Sequence, residues 1–374
     1  MAKIFRKLLV QLHFYIGISV GAVLVVSGIT GSLLVFGRDI DKSVNAHLTS
    51  VPIRESRASL SAIESDVKDL YPDASIPYIN MPRVAGESIE FYLSTGETFP
   101  IVYADPYTGA ILGVRDQHSM LFEWIFAIHT GDIGGETGEW VVGTGAIVLL
   151  LLSLSGIYLW FPGRRKLRRG FRINTRNGTK RMVYDIHSVV GFYASVLLVL
   201  TSVSAIYLIF HDATASFINL ITFSPSATAP SRTEPQKEPG KLLALDDAVD
   251  IAQKALPGSQ ISYILPPTEP DVPFAVRAKL PEEWHPNGRS VVYLNQNSGE
   301  ILHIENALNA PLGTRIANAL YPLHIGVVGG TANRVVQLFL GLVPALLYVT
   351  GFWMWYSRRK RRAVSSSQKS LVQR

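Results

Sequence analysis

The chain has 374 residues, of which 48% are hydrophobic and only 17% are charged. This balance predicts a membrane protein rather than a set of soluble domains. The chain contains no cysteine, which excludes disulfides, thiolate-bound iron–sulfur clusters and cysteine catalysis. The net charge of +6 does not indicate a nucleic-acid partner, because the basic residues are concentrated in a few short segments.

Four apolar runs are each long enough to cross a bilayer as a helix, which takes about 20 residues. They are residues 8–36, 140–161, 183–210 and 335–356. Nineteen of the 35 Lys and Arg residues lie before the first run, between the second and third, or after the fourth, and no acidic residue shares those segments. The positive-inside rule therefore predicts that both termini, the loop 162–182 and the tail 357–374 are cytoplasmic. The first run is too long for a signal peptide and lacks a cleavage site, so we expect a retained helix.

The first and third apolar runs resemble each other. Aligning His13 with His187 pairs Gly17 with Gly191, and small residues continue down the histidine face of both predicted helices. Two explanations fit these small residues: close packing against another helix, or room for a flat ligand beside the histidine. Packing explains the glycines but not the histidines.

Two long connections hold the acidic residues and are predicted to lie outside the cytoplasm. The first, 39–115, shows a helix at 60–71 and strands near 75–81, 88–93 and 99–103. The second, 242–305, repeats this plan with a helix at 245–256 and strands at 261–265, 274–279 and 290–294. A linker rich in Pro, Ser and Thr, 227–241, precedes the second domain.

The second half of the chain repeats the first. The motif VYADPYTGAIL at Val102 matches VYLNQNSGEIL at Val292, and His129 with its following apolar run matches His324. Short apolar segments precede these two histidines, within the regions 120–161 and 316–356. The predicted fold is thus a membrane α-helical protein with α+β extramembrane domains. Its four transmembrane helices form two tandem repeats about a pseudo-twofold axis along the membrane normal.

The repeat places four histidines in two pairs. His13 and His187 share the cytoplasmic level, and His129 and His324 share the outer level. Two identical imidazoles across a twofold axis suit a bis-histidine haem, so the sequence predicts two haems. A zinc site is the poorer alternative because no carboxylate or thiol accompanies each pair, and a proton relay would need intramembrane acids. His211 has no counterpart and is an alternative ligand for the outer haem.

Haem propionates need cations, and six arginines lie at suitable predicted levels. They are Arg164, Arg165, Arg358 and Arg359 on the cytoplasmic side, and Arg38 and Arg334 on the outer side. The remaining histidines, His47, His118, His285 and His303, are predicted to be solvated. No G-x-G-x-x-G motif follows a strand, so the electron donor is expected to be external: a quinol, a reduced flavin or a flavoprotein.

The histidine-led motifs LHFYIG, IHSVVG, AIHTG and PLHIG, and the domain endings TGAIL and SGEIL, resemble the PepSY-associated transmembrane family. Within that family the chain is most similar to FoxB/PiuB-type inner-membrane ferric-siderophore reductases. The resemblance implies periplasmic PepSY-like domains, two b-type haems held by His13, His129, His187, His211 or His324, and reduction of periplasmic ferric siderophore. It also implies the inner membrane of a Gram-negative bacterium.

Two other functions remain open at the level of sequence. One is a haem-free periplasmic sensor or peptidase-regulating protein on a membrane anchor, which PepSY-like domains alone would permit. The other is an importer of a small solute or metal, which the repeat favours and the absence of intramembrane acids and broken helices disfavours.

Overall fold

A computed structural model of the chain describes residues 2–163, 167–225 and 242–372. Arg164, Arg165 and the predicted linker 227–241 lie outside the described residues. The chain divides into two compact units. The helical unit comprises Met1–Phe36, Ile125–His211 and Leu323–Arg374, and the sheet unit comprises Gly37–Trp124 and Asp212–Pro322.

Helices account for most of the described chain. In order they are α1 (Ala2–Leu34), α2 (Gly37–Val44), α3 (Ala46–Thr49), α4 (Leu60–Leu70), α5 (Leu121–Thr130), α6 (Gly135–Trp160), α7 (Leu167–Gly170), α8 (Thr179–Ile209), α9 (His211–Thr222), α10 (Leu245–Ala255), α11 (Leu312–His324) and α12 (Gly330–Val372). The strands are β1 (Ser75–Asn80), β2 (Ile89–Ser94), β3 (Pro100–Ala104), β4 (Ile111–Asp116), β5 (Gln260–Leu265), β6 (Phe274–Lys279), β7 (Ser290–Leu294) and β8 (Ile301–Glu305).

Four helices of the described chain are long and apolar enough to cross a membrane, as predicted. They span Lys3–Leu34, Asp132–Trp160, Thr179–Ile209 and Gly330–Arg359. Each begins several residues before the predicted apolar run. The reason is that helical hydrogen bonding continues into polar residues, which an apolar window does not count.

The four long helices pack as a bundle in which α1 contacts both α6 and α12, and α8 also contacts both. Small residues allow close approach: a Cβ added to Gly28 on α1 would collide with the Gly341 carbonyl on α12. Nearby, Ser32 Oγ donates to the Leu338 carbonyl at 2.8 Å. Such small-residue contacts and interhelical hydrogen bonds are what hold helices together in lipid, where burial of apolar surface adds little.

The sheet unit contains one antiparallel sheet of eight strands in the order β4-β3-β2-β1-β5-β6-β7-β8. The sequence predicts two separate domains, whereas the structure joins the two halves through β1 and β5, with Ile79 opposite Ile264. This pairing removes two exposed strand edges at once, which is the physical reason for the union. The outermost strands β4 and β8 are additional to the predicted ones, as is α9.

Helices α4 and α10 cover one face of this sheet. Alternate strand residues such as Phe91, Val102 and Val276 point into the core beneath them. The Asp246 carboxylate of α10 accepts hydrogen bonds from the Leu60 and Ser61 amides at the start of α4, at 2.8 and 3.0 Å. A helix of one half therefore caps a helix of the other.

Candidate functional site

The helical unit brings the four predicted histidines together in two pairs. Their rings come from unlike elements: His13 and His187 lie on the long helices α1 and α8, while His129 and His324 end the short helices α5 and α11. The ring centroids of His129 and His324 are 6.1 Å apart, with the planes tilted by 50°. His13 and His187 lie close enough for a charge on one ring to act on the other.

Hydroxyl groups on the neighbouring long helices hold His13 and His187. His13 Nδ1 lies 2.8 Å from Ser155 Oγ on α6, and His187 Nδ1 lies 2.8 Å from Thr350 Oγ1 on α12. His187 also has a hydrogen bond to the Leu347 backbone. Each ring is thus oriented by a helix other than the one that carries it.

The second pair is held in the same way from α1 and α8. His129 Nδ1 lies 2.9 Å from the Ser27 carbonyl and 3.2 Å from Thr30 Oγ1. His324 Nδ1 lies 3.0 Å from Ser204 Oγ, and His324 also bonds the Thr201 backbone. The two long helices that carry one pair therefore orient the other.

The partners of Nδ1 determine the tautomer of these rings. A carbonyl only accepts, so the ring nitrogen of His129 that faces Ser27 carries the proton. Ser155 Oγ donates its own proton to the Leu152 carbonyl at 3.0 Å, so it accepts from His13. The same holds for the hydroxyls of Thr30, Thr350 and Ser204, each of which donates to a carbonyl of its own helix.

All four rings are therefore assigned as Nδ1–H tautomers. Their Nε2 lone pairs have no hydrogen-bond partner in the described part of the chain. A metal-ligating histidine usually has this arrangement, in which the far nitrogen donates to the protein and fixes the ring.

The sequence leaves two explanations open for the glycines of α1: close helix packing, or space beside a histidine. The structure assigns some of these glycines to each. A Cβ on Gly21 would strike the Tyr348 ring and one on Gly28 the α12 backbone, so these two serve helix packing. A Cβ on Gly31 would lie 2.8 Å from His129 Cε1. Gly156 and Gly351 lie against His13 and His187, where a Cβ would be 3.7 and 3.6 Å from the rings. Gly31 therefore makes room for His129, whereas a Cβ at Gly156 or Gly351 would make an ordinary contact with the ring.

His211 does not join either pair in the structure. It starts α9, its side chain is exposed, and its Nε2 lies 3.0 Å from the Tyr207 hydroxyl. The nitrogen that a metal would need is already engaged with a phenol, whereas the ring centroids of His129 and His324 lie 6.1 Å apart.

The described arginines of the predicted propionate set have varied surroundings. Arg334 donates to the Val35 carbonyl at 2.6 Å and lies over the Phe36 ring, so it joins α12 to the end of α1. Arg359 lies over Trp355, with its guanidinium carbon 5.5 Å from the ring centroid. These contacts stabilise helix ends without any ligand.

The prediction that His285 is solvated is wrong. His47, His118 and His303 are exposed, but His285 is only 6% exposed and stacks on Tyr321. It lies in the loop between β6 and β7, where sequence patterns carry no burial signal because backbone contacts rather than periodicity enclose it.

The hydroxyl partners were missed from the sequence, although a signal existed. Ser155 and Thr350 have the same sequence separation as His129 and His324, and Thr30 and Ser204 have that of His13 and His187. A pair of hydroxyl residues with the same sequence separation as a pair of histidines is the pattern that would have revealed these partners.

The pair His129 and His324 fits a metal held between two imidazoles. Two nitrogen–metal bonds of about 2 Å each take up about 4 Å, and two ring radii fill the rest of the 6.1 Å between centroids. Within the described residues, no group of three or more His, Asp or Glu side chains is arranged to hold a metal ion. A zinc site, which needs three or four protein ligands, therefore has no candidate there.

Comparison with known families gives one match that covers almost the whole chain. A family described as the PepSY-associated TM region matches residues 10–358, which include all four paired histidines and both halves of the sheet. No curated protein matches the chain. The protein belongs to the PepSY-associated transmembrane family.

Proposed function

We propose that this protein is a dihaem b-type electron-transfer protein that reduces a ferric siderophore outside the cytoplasm. One haem is held by His13 and His187 and the other by His129 and His324. The observation that carries the proposal is the common state of these four rings, each anchored through Nδ1 and each with Nε2 available.

Haem, when bound, supplies an iron that cycles between Fe(III) and Fe(II) and so passes one electron at a time. The chain's own residues do the positioning. Ser155 and Thr350 fix the rings of one pair, and Thr30 and Ser204 fix those of the other, so that each Nε2 keeps one direction. The four long helices that carry or orient these rings are apolar.

The proposed setting is a bacterial inner membrane, with both termini cytoplasmic and the sheet unit periplasmic. The concentration of Lys and Arg at the termini and in the loop 162–182 supports this orientation. Two tandem repeats related by a pseudo-twofold axis support the pairing of the histidines. The strand order, symmetric about β1 and β5, agrees with such an axis.

The proposed reaction needs an electron donor and an electron acceptor outside the protein. An external donor, either a quinol or a reduced flavin or flavoprotein, gives up one electron per iron. That electron reduces the Fe(III) of the chelate to Fe(II), which siderophores bind more weakly, so iron is released. No protein side chain needs to form a bond in this reaction.

A reduced-minus-oxidised visible spectrum of the purified protein tests the cofactor. We expect the signal of low-spin b-type haem at two haems per chain. A protein that is folded, yet shows no such signal after expression with ample haem, would refute the proposal. That result would favour a haem-free sensor or peptidase-regulating protein of the same family.

Proteoliposomes test the reaction itself. The reduced haem protein is mixed with a ferric siderophore in the presence of a coloured Fe(II) chelator. We expect haem oxidation together with formation of the Fe(II) complex in equal amounts. Haem that stays reduced with every ferric siderophore would mean that the acceptor is a different molecule.

A further inference from the structure

The sheet unit has a second face, opposite α4 and α10, that the proposed haem sites do not use. We call it the tyrosine face, defined by Tyr78, Tyr92, Tyr263 and Arg277. The register puts Tyr78 opposite Tyr92, and Tyr263 opposite Arg277, so these side chains share one side of the sheet. The core residues Ile79, Ile264 and Val276 alternate with them on the other side.

Aromatic rings form a continuous surface on this face. Tyr78 and Tyr92 stack with centroids 4.3 Å apart, and Tyr263 meets Tyr78 edge to face at 5.8 Å. Arg277 lies over Tyr263, with its guanidinium carbon 5.7 Å from the ring centroid. Aromatic rings with an adjacent cation favour a ligand that is itself flat and carries negative charge.

Three arginines in this part of the sheet unit have no acidic side chain at ion-pair distance among the described residues. Arg83, Arg277 and Arg289 each have an Nε atom that is buried and has no hydrogen-bond partner. None of the three forms an ion pair with another described residue. Burial lowers the pKa of Arg83 and of Arg277, as expected for positive charge that has left water without full compensation.

The carboxylates on and around this face have partners of their own. Glu90 accepts hydrogen bonds from Asn80 Nδ2 at 2.5 Å and from the Tyr92 hydroxyl at 3.4 Å. Glu87 pairs with Lys42 and accepts from the Arg83 amide at 2.9 Å. Glu283 accepts from the backbone amides of Leu280 and Arg289 and from Ser290 Oγ, so it holds the β6–β7 loop together. Glu305 also acts on Arg277 electrostatically but makes no ion pair with it. Arg83, Arg277 and Arg289 therefore remain without an ion-pair partner among the described residues.

The positive charges of these arginines act on His285. Its ring stacks on Tyr321 with centroids 5.0 Å apart and planes within 28°. Its pKa falls to about 3, first because it is buried and then because of the positive charges of Arg289, Arg277, Arg83 and Lys279. His285 is therefore neutral at physiological pH and adds no charge to that of the arginines.

Hydrogen bonds hold these groups in place. Asn287 Nδ2 donates to the Tyr263 hydroxyl at 2.8 Å, and Ser262 Oγ donates to the Asn287 carbonyl at 2.5 Å. Gln260 Nε2 donates to the Arg83 carbonyl at 2.6 Å. The loops that carry Arg83, His285 and Arg289 are thus fixed to β5 before any ligand arrives, which lowers the entropic cost of binding.

We propose that Arg83, Arg277 and Arg289, together with Tyr263, His285 and Tyr321, bind a ferric chelate that is negatively charged and aromatic, of the catecholate class. This inference rests on the proposed function, since it names the class of its substrate. Catecholate oxygens supply the negatively charged partners that the three guanidinium groups lack, and catechol rings can stack on the tyrosine face. Tyr321 belongs to α11, the helix that ends at the proposed ligand His324.

Binding is tested with Ga(III) chelates, because Ga(III) resembles Fe(III) in charge and size but is not reduced under these conditions. The probes are the Ga(III) complexes of 2,3-dihydroxybenzoate, which is anionic, and of acetohydroxamate, which is uncharged. Calorimetry on the purified full chain should show binding of the catecholate complex at least about 10-fold tighter than of the hydroxamate complex. Raising the salt concentration should weaken the catecholate complex only.

Variants locate the site. Arg277→Gln and Arg289→Gln should each weaken catecholate binding about 10-fold, since each removes a charged hydrogen-bond donor. Lys254→Gln makes the same charge change at an exposed position of α10, on the opposite face, and should have no effect. Arg277→Lys keeps the positive charge but loses the planar guanidinium group, so its affinity for the catecholate complex should be intermediate. This variant provides the test if Arg277→Gln does not fold.

Equal affinity for the two Ga(III) complexes, or equal affinity of Arg277→Gln and Lys254→Gln, would overturn this inference. So would loss of haem from Arg277→Gln with unchanged catecholate affinity, which would mean that these cations hold haem carboxylates. The two proposals fail separately. Catecholate binding by a haem-free protein would sink only the proposed function, and reduction of hydroxamate chelates without catecholate binding would sink only the inference.

Discussion

The two histidine pairs of the helical unit reach the same chemical state by opposite routes. His13 and His187 lie on the long helices α1 and α8 and are oriented by α6 and α12. His129 and His324 lie on short helices and are oriented by α1 and α8. In both pairs the ring and its anchor come from different elements. Ring orientation is therefore a product of helix packing and not of any single segment.

The four rings differ in how much of their anchoring can be removed by mutation. His129, His187 and His324 each have a backbone carbonyl partner besides the hydroxyl. For His13 the hydroxyl of Ser155 is the only anchor found among the described residues. The comparison predicts that His13 is the ring most sensitive to loss of a hydroxyl.

The largest effect is expected from removal of a ligand. His13→Ala and His129→Ala should each lose one of two haems, because a single imidazole cannot complete a bis-histidine site. Pyridine haemochrome analysis should show about half the wild-type haem per chain in each variant. Full haem in His129→Ala would contradict the pairing, and exposed His118→Ala serves as the control.

A methyl group beside His129 should have the next largest effect. In Gly31→Ala the new Cβ would lie 2.8 Å from His129 Cε1 and would push the ring away. Ala is a better helix former than Gly by roughly 0.5–1 kcal/mol, so any loss must come from this contact. We expect the spectrum of the haem assigned to His129 and His324 to change and its content to fall.

Gly17→Ala is the matched control for that change. It lies on the same helix, and its Cβ would meet Leu152 at 3.9 Å, an ordinary contact. Haem content and spectrum should match wild type. An equal loss of haem from Gly31→Ala and Gly17→Ala would show that α1 tolerates no side chain at either position. The loss from Gly31→Ala could then not be assigned to the contact with His129.

Loss of one hydroxyl tests the difference between His13 and His324. Ser155→Ala leaves His13 without its Nδ1 partner, and we expect haem affinity at that pair to fall by about 10-fold. Ser204→Ala should have a smaller effect, because His324 keeps the Thr201 backbone. Haem transfer to an acceptor protein and redox titration would measure both. A larger effect of Ser204→Ala would reverse the comparison.

The smallest effect is expected at His211. Its Nε2 faces the Tyr207 hydroxyl, so His211→Ala should leave both haems and their spectra unchanged. Haem loss equal to that of His129→Ala would instead make His211 the ligand, and the 6.1 Å approach of His129 to His324 would then have no role in binding.

Long apolar runs, basic termini and recurring motifs were enough to predict four spanning helices, two α+β halves and four histidines of interest. These features are local or repeat at fixed offsets, so periodicity and composition reveal them. The sheet that joins the halves was not predictable in this way. The pairing of β1 with β5 depends on contacts between strands far apart in sequence, and no local pattern encodes which edges meet.

The sequence by itself was enough to single out the paired histidines and the small residues on the same helix faces. Only the tertiary structure decided how they are used. It divided the glycines of α1 between helix packing and space for His129, and it set the tautomer of each ring through partners on other helices. It also buried His285 among arginines that the sequence left in separate loops. The reason is common to all three: a side chain's partners are set by which elements pack together, and packing joins residues that are distant along the chain.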